Sequence, residues 1–258
     1  MPAVPVSVVI ICKNAAATIG QTAAAALKLS DDVVVLDSGS TDATIKLVNA
    51  SGARLVQQEW LGYGATKNQG NSKAKYDWIL SLDADEIASD ELIASIKQLE
   101  LTDALTVYKI KRLNYIKDQP IHHGEWGKDW TVRLFNRTVV QWNDAPVHES
   151  LLLPPAVTVV KLAGLLHHFT TPDIATYQKK LEKYADLMAA KYFAGGKRGS
   201  ALKPYASSFF SFLKYYLFHA GWLDKAAGWQ LALAHARYTF QKYKKLQALH
   251  QAKRAVET

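Results

Sequence analysis

Thiol chemistry is nearly absent from this chain. Cys12 is the sole cysteine and lies in an apolar run, so no intrachain disulfide and no cysteine-built zinc site can form, and a reducing cytosol fits that usage. Long apolar runs are missing as well. No stretch reaches the roughly 18 consecutive apolar residues that a spanning helix needs. The start, Met1-Pro2-Ala3-Val4-Pro5, carries no basic segment followed by an apolar one. The expectation is a protein neither secreted nor membrane-spanning. Acidic residues are scarce in one region: residues 191–258 hold 12 lysines and arginines against only Asp224 and Glu257, a net of +10, while residues 1–190 come to −2. The overall charge of +8 therefore describes a near-neutral body with a strongly basic tail.

What is present is a chain of 258 residues that is 49% apolar, enough for one full α/β core with a smaller region appended. Val4–Cys12 is a nearly continuous β-branched run, the pattern of a strand buried on both faces of a parallel sheet. Asn14 is placed to cap an alanine-rich helix ending near Leu29. A second strand, Val33–Leu36, runs into Asp37-Ser38-Gly39-Ser40-Thr41-Asp42, and these turn and capping residues start another helix. Arg54–Gln57 reads as a third strand, Gly64–Lys75 as a third helix and Trp78–Leu82 as a fourth strand. Strands alternating with helices at this spacing imply right-handed βαβ units and a parallel sheet. Ligands of such sheets bind outside the carboxyl ends of the strands, where Asn14, Asp37 and Asp83 all fall. Residues 105–160 loosen into short strands and polar loops, 173–192 read as a helix, and 195–200 (GGKRGS) as a flexible linker. The expected division is a body over 1–192, split near 104 into two halves, followed by a helical region over 193–258.

Asp83-Ala84-Asp85 is the sharpest chemical signal. Two carboxylates one residue apart at the end of a buried strand are justified by a divalent cation, and hard oxygen donors suit Mg²⁺ or Mn²⁺ completed by substrate phosphates and water. The bland alternative is that Asp85 and Glu86 cap the helix that begins near Ser89. Arg133 has two readings, a phosphate contact or a surface pair with Asp129. His148, His167 and His168 are placed either to add a metal or phosphate contact or to serve as core and hydrogen-bonding residues.

Taken together, "VSVVIICKNAAATI", "VVVLDSGSTDAT", "GYGATKNQGNSKAKYDWILSLDADE" and "APVHES" resemble the large inverting family of GT-A glycosyltransferases, family 2. The resemblance implies a GT-A fold and a nucleotide-sugar site. Lys13, Asn14, Asp37 and the adjoining Ser38 would hold the uracil and ribose of a UDP-sugar, with Lys67 and Asn68 near the nucleotide or pyrophosphate. Asp83, with Ala84 beside it, would contact ribose or donor sugar, and Asp85 would hold the metal, with His148 and His168 as further candidate ligands. Glu149 would be the base that takes the acceptor hydroxyl's proton. "DWTVRLFNR", "LLHHFTTPDIATYQKKLEKYA" and "GWLDKAAGWQLALAHARYTFQKYKK" are similar to the lipopolysaccharide inner-core β-1,4-glucosyltransferases, implying a UDP-glucose donor and a core heptose acceptor. Another cell-envelope glycolipid or polysaccharide is the alternative acceptor. One departure is Asp-Ser-Gly-Ser where Asp-Asp-Gly-Ser is commoner, which leaves a single carboxylate for base and ribose.

In the tail, Phe209, Phe212, Leu213, Tyr216 and Leu217 fall on one face of a helix, which either packs on the body or meets a membrane. Lys242, Lys244, Lys245, Lys253 and Arg254, interleaved with Tyr238, Phe240 and Tyr243, favour an anionic membrane surface, so the expected location is cytoplasmic and peripheral on the inner face of the inner membrane. Two rivals differ in class. A nicotinamide-dependent dehydrogenase needs G-x-G-x-x-G after the first strand, where this chain has Cys12-Lys13-Asn14-Ala15-Ala16-Ala17. A nucleic-acid-binding protein would use the basic tail but leaves Asp83 and Asp85 without a role, so no nucleic-acid partner is expected.

Overall fold

A computed structural model of the chain describes residues 4–144 and 149–257, the last four of these by backbone alone. The chain divides into two compact units: residues 1–112 with 130–168, and residues 113–129 with 169–258.

The first unit is built on β1 (Val6–Cys12), α1 (Ile19–Leu29), β2 (Asp32–Asp37), α2 (Thr44–Ser51), β3 (Arg54–Gln57), α3 (Tyr63–Ser72), β4 (Trp78–Asp83), β5 (Glu86–Ala88) and α4 (Asp90–Lys97). There follow β6 (Thr106–Ile116), β7 (Gln119–Ile121), β8 (Trp130–Asn136), the hairpin β9 (Gln141–Trp142) with β10 (Leu151–Leu152), and β11 (Thr158–Thr171). The sheet runs β3-β2-β1-β4-β8-β6-β11-β5. Its first four strands are parallel, β8 joins β4 antiparallel, and β5 pairs antiparallel with β11. Every residue of β1 and β2 is buried, which is why both read as unbroken apolar runs. Val8, Ile10, Val35, Leu80 and Leu82 pack on one face of the sheet and Val9, Ile11, Val34, Leu36 and Ile79 on the other.

Chain order departs from spatial order at β1, flanked by β2 on one side and β4 on the other, and a crevice opens at such a reversal. The register sets Asp37 opposite Cys12 and Asp83 opposite Ile11, so the ends of three strands arrive level. Asn14 does not cap α1. It sits at φ +51°, and its side-chain oxygen accepts from Thr41 N–H at 2.8 Å, tying the β1–α1 loop to the β2–α2 loop. Thr18 occupies the N-cap position of α1. Ser89, not Asp85 or Glu86, caps α4, its hydroxyl accepting from Leu92 N–H at 3.1 Å.

The second unit holds β7, the C-terminal end of β6, α5 (Ile174–Ala194), α6 (Lys203–Leu213) and α7 (Lys225–Glu257). Its core is Ile121, Tyr177, Leu181, Ala227, Leu231 and Ala234. α5 shares this apolar core with α7, so residues 174–194 group with the second unit. Asp224 anchors residues 113–129 to the same unit, accepting from the backbone N–H of His122 at 3.2 Å and of His123 at 2.7 Å. His235 reaches the Glu125 carboxylate at 2.7 Å. Among the described residues no helix is long and apolar enough to cross a membrane.

Candidate active site

β4 ends at Asp83, Ala84 and Asp85 form a turn, and β5 leaves with Glu86, so three carboxylates occupy four positions. They meet three different environments. Glu86 is wholly buried. Its Oε1 accepts from Arg133 at 2.5 Å and from Arg112 at 3.2 Å, and its Oε2 accepts from the Asp83 N–H at 3.1 Å. Asp83 is 30% exposed, with Oδ2 2.7 Å from the Arg133 guanidinium and Oδ1 3.1 Å from Lys67 Nζ. Burial alone would raise the Asp83 carboxyl, but Arg133 and Lys67 beside it hold it well below the usual carboxylate range. Asp85 is more open, and His168 Nε2 lies 3.6 Å from its Oδ2.

Lys67 projects from α3, is almost fully buried, and has its Nζ between two carboxylates. Its Nζ donates to Glu149 Oε1 at 2.9 Å, pairs with Asp83 and lies 4.5 Å from the centroid of the Trp142 ring. A buried ammonium is tolerated when carboxylates and an aromatic face replace its water. Asn68 secures the same region: its amide donates to Trp142 O at 2.8 Å and accepts from Trp142 N–H at 3.0 Å, fixing β9 on α3. Glu149 stands just before β10 and is 17% exposed.

On the other side of β1 an open cleft of about 420 Å³ is lined by Lys13, Asp37, Ser38 and Gly39 and faced by residues 57–60. Asp37 itself is buried. Its Oδ2 accepts from the N–H groups of Gly39 at 3.0 Å and Ser40 at 2.9 Å, and its Oδ1 from the Ser40 hydroxyl. Asp37 thus shapes the loop. The buried Ser38 Oγ has no partner among the described residues, which leaves a polar atom in the cleft for a ligand. Trp60 is 44% exposed at the rim and stands edge-on to Tyr63 at 4.7 Å. Cys12 donates to Asp37 at 3.6 Å, and burial together with that carboxylate pushes its thiol up to about 12, so it is no nucleophile.

The structure thus joins Lys67, Asp83, Arg133 and Glu149 in one network and sets Lys13, Asp37 and Ser38 in the cleft. Asn14, Asn68 and Ala84 serve the frame, Ala84 through its carbonyl, which accepts from the Thr22 hydroxyl at 2.8 Å. Arg133 is buried against Asp83 and Glu86, so the surface pair with Asp129 does not describe it; Asp129 accepts from Asn114 at 3.0 Å. Successive residues of a strand face opposite ways, so His167 and His168 do not act as a pair. His148 lies outside the described residues. Sequence reasoning missed Glu86, Arg112 and Trp60. Glu86 enters the sequence reading only through the alternative of a helix cap, Arg112 carries no local signal, and Trp60 signals itself only as an aromatic residue in a polar, glycine-bearing loop.

The donor set suits a hard divalent ion. Among the described residues no three His, Cys, Asp or Glu side chains gather into a cage, and Asp85 with His168 beside it is what the protein offers. A carboxylate oxygen is a donor that Mg²⁺ and Mn²⁺ accept, their shells being completed by phosphate and water.

A mixed sheet with a parallel half, a cleft beside its first strand and a cluster of paired carboxylates at the adjacent strand end is the GT-A architecture of glycosyltransferases. Residues 7–150 match the glycosyl transferase family 2 profile, and the chain belongs to that family. It is 30% identical over 205 residues to an uncharacterized glycosyltransferase of Rickettsia felis, covering 75% of this chain and 72% of the relative. It is 26% identical over 261 residues to the lipopolysaccharide core biosynthesis glycosyltransferase LpsC of Rhizobium meliloti, covering 98% and 96%. Among solved structures it is similar to glucosyl-3-phosphoglycerate synthase of Mycobacterium tuberculosis in complex with Mn²⁺ and UDP-glucose, at 27% identity and a TM-score of 0.36. That match covers 43% of each chain, less than half of the solved structure's length.

Proposed function

We propose that this chain transfers a hexose, glucose in the first instance, from a UDP-sugar to a lipopolysaccharide inner-core heptose with inversion at the anomeric carbon. The observation that carries this reading is Lys67, which bridges Asp83 at the end of β4 to Glu149 before β10 through contacts of 3.1 and 2.9 Å. That bridge sets a donor-side carboxylate and a second carboxylate at a fixed spacing across one buried cation. The full-length similarity to a lipopolysaccharide core glycosyltransferase supports the acceptor class.

In this reading the uridine lies in the cleft between Ser38 and Trp60, and Asp83, locked by Arg133 and Lys67, orients the ribose or sugar. Held by Asp85, with His168 alongside, a divalent cation would give Lewis-acid assistance to the departing diphosphate. Glu149 takes the proton from the acceptor hydroxyl as the new oxygen–carbon bond forms and the anomeric carbon–phosphate oxygen bond breaks. Lys67 holds one oxygen of that carboxylate and so fixes which way the other points. In this reading the enzyme works on the cytoplasmic side of the inner membrane, where a lipid-anchored acceptor would be displayed.

Titration calorimetry with UDP and Mn²⁺ tests the donor site. Asp85→Ala should fold normally and lose the metal-dependent part of UDP affinity; an unchanged metal-dependent affinity overturns the assignment. Transfer from UDP-glucose to lipopolysaccharide truncated at the core heptose, read by mass spectrometry, tests the acceptor. Addition only to another envelope glycolipid would move the proposal to that acceptor.

A further inference from the structure

α6 is built inside out. Its serines face protein: Ser208 donates to Ala236 O at 2.9 Å, and Thr239 donates to Ser211 Oγ at 3.3 Å, both partners lying on α7. Several large apolar side chains in and beside it face solvent. Leu202 is 78% exposed, Phe209 60% and Phe210 65%, and Tyr205 between them is also exposed. Exposure recurs at 202, 205, 209, 210, 217 and 218, so one outward stripe runs the length of α6 and through the turn that follows it. Phe218, at 80%, and Trp222 and Leu223 extend the stripe beyond α6.

The stripe expected from the sequence is thereby divided. Phe212 and Tyr216 stack on each other at 5.3 Å and pack edge-on to Trp229 at 5.0 and 5.3 Å, while Phe209 and Leu217 face out. The division begins inside α6, where Phe212 packs on Trp229 three residues after the outward Phe209, and it continues through the π-helical turn Lys214–Phe218, where Tyr216 packs and Leu217 faces out.

Several adjacent apolar side chains held in water are a mark of a binding surface. Its charge says what binds. From Leu202 to Leu223 the sequence contains no acidic residue, and Lys203, Lys214 and Lys225 flank the aromatic positions. Asp224, the next acid along the sequence, is buried and occupied by the backbone of His122 and His123, and Glu125, which Lys214 also influences, is paired with His235. A second copy of the same face would set lysines against lysines across a two-fold interface. An anionic bilayer supplies what this surface lacks: negative headgroups for the lysines and acyl chains for Phe, Leu and Trp, the composition of segments that lie in the membrane interface.

We infer that the outward face of α6 with residues 217–223 is a docking surface for an anionic lipid bilayer, with Phe209, Phe210, Phe218 and Trp222 inserting and Lys203, Lys214 and Lys225 meeting headgroups. The inference stands on this patch and does not depend on the donor or acceptor proposed above.

The test uses the full chain with sonicated vesicles of phosphatidylethanolamine and phosphatidylglycerol, and with phosphatidylcholine alone. The chain should bind the anionic vesicles and bind phosphatidylcholine weakly. Phe210→Ser with Phe218→Ser should lower the vesicle partition coefficient by at least about tenfold, with an unchanged unfolding midpoint, because both side chains are already in water. Independently of any folding effect in that variant, lipids brominated on the acyl chain should quench tryptophan emission of the unmodified chain, and Trp222→Phe should remove part of that quenching. Unaltered partitioning of the double Phe variant, binding abolished by salt with no acyl-chain quenching, or a concentration-dependent dimer lost in that variant would each overturn the inference. UDP affinity measured in the same samples separates failure of docking from failure of the donor site.

Discussion

Lys67 has about 2% of its side chain in water and touches two carboxylates and an indole ring, so it cannot be removed from the site without rearranging both ends of it. Its role makes the chemistry of Glu149 testable without disturbing the frame. In Glu149→Gln the amide oxygen still accepts from Lys67, so α3 and the β9–β10 hairpin stay in place, but the amide cannot take a proton. Turnover should drop by at least about 10²-fold while donor affinity is retained. Steady-state transfer rates alongside UDP calorimetry check it. A variant that keeps most of its activity would place the base elsewhere, with Asp144 the next carboxylate to examine. The sequence displayed Glu149 and Asp83 as motif members, but not that one lysine holds both, because residues 67, 83 and 149 share no local pattern.

α3 lies flat against the sheet because its glycines allow it. A Cβ on Gly70 would come within 2.5 Å of Val9 Cγ1 and 3.0 Å of Leu36 Cδ1, whereas one on Gly20 of α1 meets nothing within 4 Å. The two glycines therefore predict opposite signs. Gly70→Ala should destabilise by about 1–3 kcal/mol through overpacking, and Gly20→Ala should stabilise by up to about 1 kcal/mol through helix propensity. Urea midpoints at unchanged slope measure both, and a stabilising Gly70→Ala would show that α3 can lift off β1 and β2. At this scale much was legible. The parallel strands announce themselves because burial on both faces demands unbroken apolar runs, and Arg54–Gln57 falls where the sequence put it. What stayed hidden depends on distant partners. Asn14 looks like a cap until Thr41, 27 residues on, donates to its oxygen, and the expected apolar stripe of α6 divides because Trp229 on α7 takes Phe212 and Tyr216. The sequence left open whether the aromatic face of α6 packs or faces out, since spacing shows which residues share a face but not which face is buried.

Across the whole molecule the carboxylates hold more of the acid stability than their number suggests. Burial would raise Asp83, Asp32 and Glu125 alike, and in each case that push is overcome: by Arg133 and Lys67 at Asp83, by the Ser7 hydroxyl, the Lys75 N–H and Arg54 at Asp32, and by His235 and Lys214 at Glu125. All three are lowered in the folded chain relative to unfolded values of about 3.9 for Asp and 4.3 for Glu. A group so lowered binds fewer protons folded than unfolded, so its contribution is complete above the unfolded value and is lost as pH falls toward the folded one. The chain is already at +8 near neutrality, and protonating its acids adds self-repulsion in the same direction. The two units share this dependence, Asp32 and Asp83 in the first and Glu125 in the second. The melting temperature should therefore hold steady between about pH 7 and 5 and fall below about pH 4, with far-ultraviolet circular dichroism and tryptophan emission declining together. Thermal scans across that range measure it. A midpoint that stays level or rises down to about pH 3 would mean that these acids are no better stabilised in the folded chain than in the unfolded one.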